Sequence, residues 1–236
     1  MNRKTISSFI DFINYLDTVE MLEYEINLFR GQSHNHSLLP SICRKNSSKD
    51  TTELERDMLS DFKRRSALLI KKEFTTDWEW LVYAQHFGLK TRLLDWTSNP
   101  LIALWFACQN LNNIHDDAYL YIFSCDNNMR VDIDKKTSPF EIRSTKILKP
   151  MLNNERIVAQ YGWFTAHAYS KSAGRFVKLE TNRKAKKHLT EIKIPATLKK
   201  EILRKLSVFG INSGSVYPDI NGLSLHLNWE YLEEKY

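Results

Sequence analysis

Apolar residues first recur at helical spacing, where Ile6, Phe9, Ile10, Ile13 and Leu16 share a face and Ser7-Ser8 can cap the turn before them. This predicts a helix over 6–20. Over 24–30 the period shortens to two, Ile26 and Leu28 alternating with Glu25 and Asn27, the pattern of a strand. A polar loop follows over 32–37, and Leu38-Leu39-Pro40 stops regular structure. Thr51 and Thr52 open a second helix with Leu54, Met58, Phe62 and Leu69 roughly on one side. Asp77 caps a third, through Trp78, Leu81, Val82 and Ala84 to Gly88. Residues 91–94 read as a short buried strand. Asn99-Pro100 then starts a helix whose inner face is Ile102, Ala103, Phe106 and Ala107.

Beyond it, 119–123 is a strand, 126–139 a polar connection, and 146–165 an indistinct stretch with room for one strand. A strand over 191–194 ends at Pro195, a helix over 197–208 stops at Gly210, and Pro218-Asp219 begins a last helix through Trp229 and Leu232. Helices and strands interleave without a βαβ rhythm, and no Gly-rich turn joins a strand to a helix. The class is α+β rather than doubly wound α/β.

Composition narrows this little. With 236 residues and 42% hydrophobic content the chain can bury a substantial core. No apolar run approaches a membrane span, the N-terminus does not read as a signal peptide, and three widely spaced cysteines form no C-x-x-C pair. The expectation is a cytoplasmic chain with no membrane partner. Charge says more. The net charge is +6, and Lys171, Arg175, Lys178, Arg183, Lys184, Lys186 and Lys187 open a basic stretch that continues to Lys193, Lys199 and Lys200. Such a run is either a solvated face or a nucleic-acid contact, where cations gain affinity by releasing counterions from phosphates.

Three clusters carry candidate chemistry. In Phe29-Arg30-Gly31 an apolar strand ends in a guanidinium that must reach solvent, a carboxylate or a ligand oxyanion, and Gly31 lets a ligand or loop approach the backbone. The block 85–98 places Gln85, His86, Thr91, Arg92, Asp95, Trp96, Thr97 and Ser98 around a short apolar segment, either as buried hydrogen-bonding groups and caps or as a site. The third cluster, 155–164, carries Gln160 among aromatics. His34-x-His36 has no partner that would make a metal site, and neither a P-loop nor a G-x-S-x-G elbow occurs.

Together these segments resemble the FRG domain family: Phe29-Arg30-Gly31, then Pro40-Ser41-Ile42-Cys43-Arg44, the Q-H-x-G-x-x-T-R-L-L-D-W-T block from Gln85 to Thr97, Arg156 with Gln160, Gly162 and Phe164, and Tyr217-Pro218-Asp219. The resemblance implies one domain over 1–236, with the helices at 6–20 and 219–234 packed on it. A second, weaker resemblance is to ADP-ribosyltransferases of the Arg-Ser-Glu type, carried by Phe29-Arg30-Gly31, Asp95-Trp96-Thr97-Ser98 and Ala103-Leu104-Trp105-Phe106-Ala107. It implies a central split β-sheet flanked by helices and NAD as co-substrate. Arg30, Gly31, Arg92, Trp96, Thr97 and Ser98 would hold NAD, and Arg30, His86, Asp95 and Gln160 would carry catalysis. Gln160 stands where that type has a catalytic Glu. The implied role is transfer of ADP-ribose to a nucleic acid, RNA or single-stranded DNA, by a toxin or phage-defence effector held by an antitoxin. The alternatives are a non-catalytic phosphate-binding module and, third, a nuclease using His86 and Asp95.

Overall fold

The computed structural model describes residues 1–19, 26–125, 129–131 and 137–234. In chain order the elements are β1 (Asn2–Thr5), α1 (Phe9–Thr18), β2 (Ile26–Gln32), α2 (Thr52–Ser66), α3 (Asp77–His86), β3 (Leu93–Thr97), α4 (Pro100–Cys108) and β4 (Ala118–Cys125). There follow β5 (Lys146–Leu148), α5 (Glu155–Ala159), β6 (Gly162–Ala166), the two-residue strands β7 (Tyr169–Ser170) and β8 (Arg175–Phe176), β9 (Leu189–Ile194), α6 (Lys199–Val208), α7 (Ser213–Val216) and α8 (Ile220–Asn228). The end of the helix expected over 6–20, the start of the strand over 24–30 and most of the connection over 126–139 lie outside the described residues.

Seven strands form one mixed sheet in the order β1-β9-β4-β2-β3-β6-β5, flanked by helices, which is the expected α+β class. β1 runs parallel to β9, and the other neighbours are antiparallel. The pairing is uneven. β2 follows β4 from Ile26 to Gln32 and β3 follows β6 from Leu93 to Thr97, yet β2 and β3 share one residue pair, Phe29 with Thr97. The sheet is thus nearly severed between two blocks, and backbone groups and side chains near that seam are free to face a ligand.

On one face of the larger block, Phe29, Leu120, Ile122 and Ile192 pack with Phe9 and Phe12 of α1, Leu104 of α4, and Ile202 and Leu206 of α6. Each such side chain contributes about 1.5–3 kcal/mol by leaving water. The closest approach is α4 on β2. A Cβ on Gly31 would lie 1.9 Å from the Ala103 carbonyl oxygen and 2.5 Å from the Ala107 nitrogen, so this helix contact requires a glycine. The opposite face buries Leu28, Leu94, Trp96, Tyr121 and Phe123. A third cluster joins Leu59, Trp78 and Leu81 to Leu93, Leu148 and Phe164.

Several expectations shift. The strand placed at 91–94 runs from Leu93 to Thr97, because the Arg92 N–H is taken by Glu55 Oε1 at 2.6 Å instead of a ladder partner. The cap of α3 is Thr76, in a capping box with Glu79, and Asp77 is its first helical residue. α2 buries Glu55 and Leu59, while Leu54 is half exposed and Leu69 lies past its end. α4 is buried almost all round, and Phe106 is partly buried, packed against the core cluster while also lining the cleft. The stretch 146–165 holds β5, α5 and the greater part of β6, elements too short for a periodicity to register. β1 is equally short and mostly exposed, and its sequence carries no strand pattern. Among the described residues no helix is long and apolar enough to cross a membrane.

Candidate functional site

A cleft of about 370 Å³ opens over the seam, within the size range of small-molecule sites. β2 brings Phe29, Arg30 and Gly31 to it, the end of α3 brings Gln85 and His86, β3 brings Asp95, Trp96 and Thr97, and α4 brings Phe106. The far wall is Arg156, Gln160 and Tyr217. A second cavity of about 120 Å³ lies behind Tyr217, walled by Trp105, Leu203 and Trp229, and among the described residues no Lys, Arg, Asp or Glu lines it.

Arg30 is held across the seam. Its Nη1 donates to the Asp95 carbonyl at 2.7 Å and lies 3.8 Å from Asp95 Oδ2, and its side chain is 17% exposed. The buried Nε has no hydrogen-bond partner. Burial and, less strongly, the nearby Arg44 charge pull the Arg30 pKa down, and Asp95 opposes them. A desolvated guanidinium with an unused donor is a ready receptor for an oxyanion.

A directional chain of hydrogen bonds fixes Asp95. The Leu93 N–H donates to Thr91 Oγ1 at 3.0 Å, so the single Thr91 proton goes to Gln85 Oε1. That orients the amide, whose Nε2 donates to Asp95 Oδ1 at 2.6 Å. Gln85 thereby sets the carboxylate that steadies Arg30.

The far wall comes from the two C-terminal motifs. Arg156 Nε and Nη2 donate to Asp219 Oδ2 at 3.1 and 2.5 Å, and the guanidinium lies over the Tyr217 ring, 5.1 Å from its centre. Asp219 caps α8 by accepting from the Gly222 N–H at 2.9 Å, and its bond to Arg156 holds its pKa below the usual carboxylate range. Gln160 Nε2 donates to the Val216 carbonyl at 3.2 Å, leaving its oxygen as the group for a ligand hydroxyl. Burial and the Arg156 charge lower the pKa of His86, so the ring is neutral near pH 7 and can accept a proton.

The cleft therefore gathers Arg30, His86, Asp95, Gln160, Gly31, Trp96 and Thr97. It does not gather the others. Arg92 is buried in the core, Nε to Glu55 Oε2 at 2.7 Å and Nη1 to the Pro139 carbonyl at 3.0 Å, because β3 turns it away from the seam. Ser98 is exposed outside the cleft lining, its N–H on the Tyr161 carbonyl at 3.1 Å. Trp96, although it lines the cleft, has its indole N–H turned inward, donating to Thr165 Oγ1 at 3.0 Å, which in turn meets His167 Nε2 at 3.1 Å. Lys171, Arg175, Lys178, Arg183, Lys184, Lys186 and Lys187 are all exposed, whereas Lys193 pairs with Asp117 at 2.7 Å and Lys199 is buried. Sequence reasoning gave no role to Gln85, Phe106, Arg156 or Tyr217. All four belong to the quoted motifs, which is their one signal, and the helical spacing of Phe106 reads as core.

The FRG domain matches residues 25–116, and no curated protein or solved structure is significantly similar to the chain. The matched segment supplies the wall of the cleft that carries Arg30, Gln85, His86, Asp95 and Phe106. Over residues 25–116 the chain thus matches the FRG domain, as its motifs lead one to expect.

Proposed function

We propose that the chain is an NAD-dependent ADP-ribosyltransferase with an ADP-ribosyltransferase-like split sheet and a nucleic acid as acceptor. The observation that carries this reading is Arg30, desolvated at the seam with an unpartnered Nε, in one cleft with His86, Asp95 and Gln160. Transfer breaks the bond between the nicotinamide nitrogen and ribose C1, nicotinamide leaves with the electron pair, and the acceptor bonds C1 and gives up a proton. Arg30 binds the pyrophosphate. Thr97 Oγ1 accepts from the Asn99 N–H at 3.0 Å and keeps its own proton for the ligand. Asp95, the one carboxylate among the described lining residues, offsets positive charge as it grows on the ribose, and Gln160 Oε1 accepts a ribose hydroxyl. Neutral His86 takes the acceptor's proton. Such activity suits an intracellular toxin or phage-defence effector restrained by an antitoxin.

The test is incubation of the folded protein with labelled NAD and, separately, RNA, DNA and protein. Nicotinamide release with label on nucleic acid is expected, and neither release nor label sinks the reading. One observation favours a second reading, a non-catalytic phosphate-binding module: an amide, Gln160, stands where the transferase resemblance has a carboxylate. Arg30→Ala separates them, since a transferase loses turnover while retaining the acceptor and a module loses binding itself.

A further inference from the structure

The loop before α2 and the β7–β8 hairpin are about 130 residues apart in sequence, yet they form one surface. The Phe176 N–H donates to the Ser47 carbonyl at 2.8 Å, Tyr169 Oη to the Ser48 carbonyl at 3.2 Å, and the Leu179 N–H to the Leu38 carbonyl at 3.3 Å. Leu39, Cys43 and Phe176, with Ile42 and Tyr169 against them, make a small apolar cluster beneath. Above it, Arg44, Lys45 and Lys49 stand exposed on the loop, and Lys171, Arg175 and Lys178 on and beside the hairpin. Segments 44–50 and 171–187 together hold ten Lys and Arg against Asp50 and Glu180, more excess charge than the +6 of the whole chain. Both carboxylates are engaged locally, Asp50 Oδ1 by the Thr52 N–H at 3.0 Å and Glu180 Oε2 by the Leu38 N–H at 3.1 Å. The patch also leads to the cleft: the Ile42 N–H donates to the Thr91 carbonyl at 3.4 Å, and Thr91 begins the hydrogen-bond chain through Gln85 that fixes Asp95 beside Arg30.

We infer that this two-segment surface is a track for single-stranded nucleic acid, running from the hairpin across Lys49, Lys45 and Arg44 to Arg30. Clustered exposed cations, here without a carboxylate partner among the described residues, bind a phosphate backbone by releasing its condensed ions, without regard to sequence. A duplex does not suit the geometry: its bases are stacked inward, and one would have to be flipped out to reach a cleft of about 370 Å³. The track names the acceptor strand of the proposed transferase and rests on that reading only for what the strand comes to receive. The basic stretch of the sequence is divided by it, since Lys200 lies on α6, whose Ile202 and Leu206 pack in the core cluster on the sheet face opposite to that of Leu179 and Ala185.

The experiment contains no NAD, so it fails or succeeds apart from the transferase assay. Fluorescence anisotropy is measured with a labelled RNA of about 20 nucleotides, alone and as a duplex, from about 50 to 300 mM KCl. The single strand is expected to bind more tightly. Lys45→Gln with Lys49→Gln is expected to weaken it about tenfold and to flatten the log–log salt slope by about 1.4, at about 0.7 per phosphate contact. Lys200→Gln with Arg204→Gln, an equal charge loss on α6, leaves both unchanged. Arg44 is kept in the double variant because its Nε and Nη2 hold the Leu39 carbonyl, at 3.3 and 3.1 Å. Equal losses in the two double variants, duplex binding as tight as single-strand binding, or no binding by the wild type each overturn the track.

Discussion

Arg30 and Arg92 are the same residue type near opposite ends of short apolar segments, and their surroundings give them opposite work. Arg92 is spent on the fold, paired with Glu55 where neither side chain is more than 1% exposed. Breaking such a pair leaves a buried charge without its partner, so Glu55→Ala is expected to cost about 3–5 kcal/mol in urea unfolding. The joint replacement Glu55→Leu with Arg92→Met should recover most of it. Arg30 satisfies little of the fold, and Arg30→Ala should leave unfolding within about 1 kcal/mol of wild type while nicotinamide release falls by about 100-fold or more. A stability loss as large as that of Glu55→Ala would place Arg30 among the structural arginines. Gln160→Glu gives the third test: it loses the donor to the Val216 carbonyl but adds a carboxylate to the cleft, and a faster release of nicotinamide is expected. No local signal separates the two arginines in the sequence. Both are next to apolar residues, and the carboxylate that claims Arg92 lies 37 residues away on another element.

At the scale of elements, what was legible depended on length and on local chemistry. α4 could be placed because Asn99 and Pro100 mark its start within the sequence, and the Asn99 side chain accepts from the Leu101 and Ile102 N–H groups as a cap should, at 2.9 and 3.3 Å. The face of α2 was misplaced because its buried position 55 is a Glu, which an apolar pattern reads as solvent-facing. β5 and β6 were merged for want of residues. The cleft was half legible: its residues sit in recognisable motifs, but that Tyr217 and Asp219 close on Arg156 follows from packing across about 60 residues of chain. Gly31 shows the same limit, being legible as special and not as to why. Gly31→Ala places a methyl group against the backbone of α4, which cannot yield as a side chain tip would. The expected cost is about 3 kcal/mol, at the upper end for overpacking, read as a lowered midpoint in thermal or urea unfolding. An unchanged midpoint would mean that α4 rides further from β2 than its contact with Gly31 requires.

Over the whole molecule, the seam that opens the cleft on one side is sealed on the other by a buried polar stack, and this makes folding sensitive to acid. Trp96 can only donate, so Thr165 Oγ1 accepts from it, and the same oxygen meets His167 Nε2 at 3.1 Å. His167 is fully buried, and burial, reinforced by the Arg30 charge, pushes its pKa down to about 3. The ordinary value in the unfolded chain is about 6.5. Above that value neither state is protonated and His167 adds no pH dependence. As pH falls below it, the unfolded chain binds a proton that the folded chain refuses, so stability drops by up to about 1.4 kcal/mol per pH unit until the folded pKa is reached. Carboxylates with lowered pKa values, Asp11, Asp117 and Asp219, add their own losses only near and below their ordinary range. Between about pH 6.5 and 4.5 the histidines therefore dominate the slope. His167→Gln keeps a hydrogen-bond partner for Thr165 and removes the titration. Urea unfolding across that window should show a shallower acid loss in the variant than in the wild type, and parallel slopes would mean that the imidazole is hydrated or already charged in the fold. A proton at His167 would set a second cation behind Arg30, and so the same acid that unfolds the seam would first disturb the guanidinium on which the proposed NAD site depends.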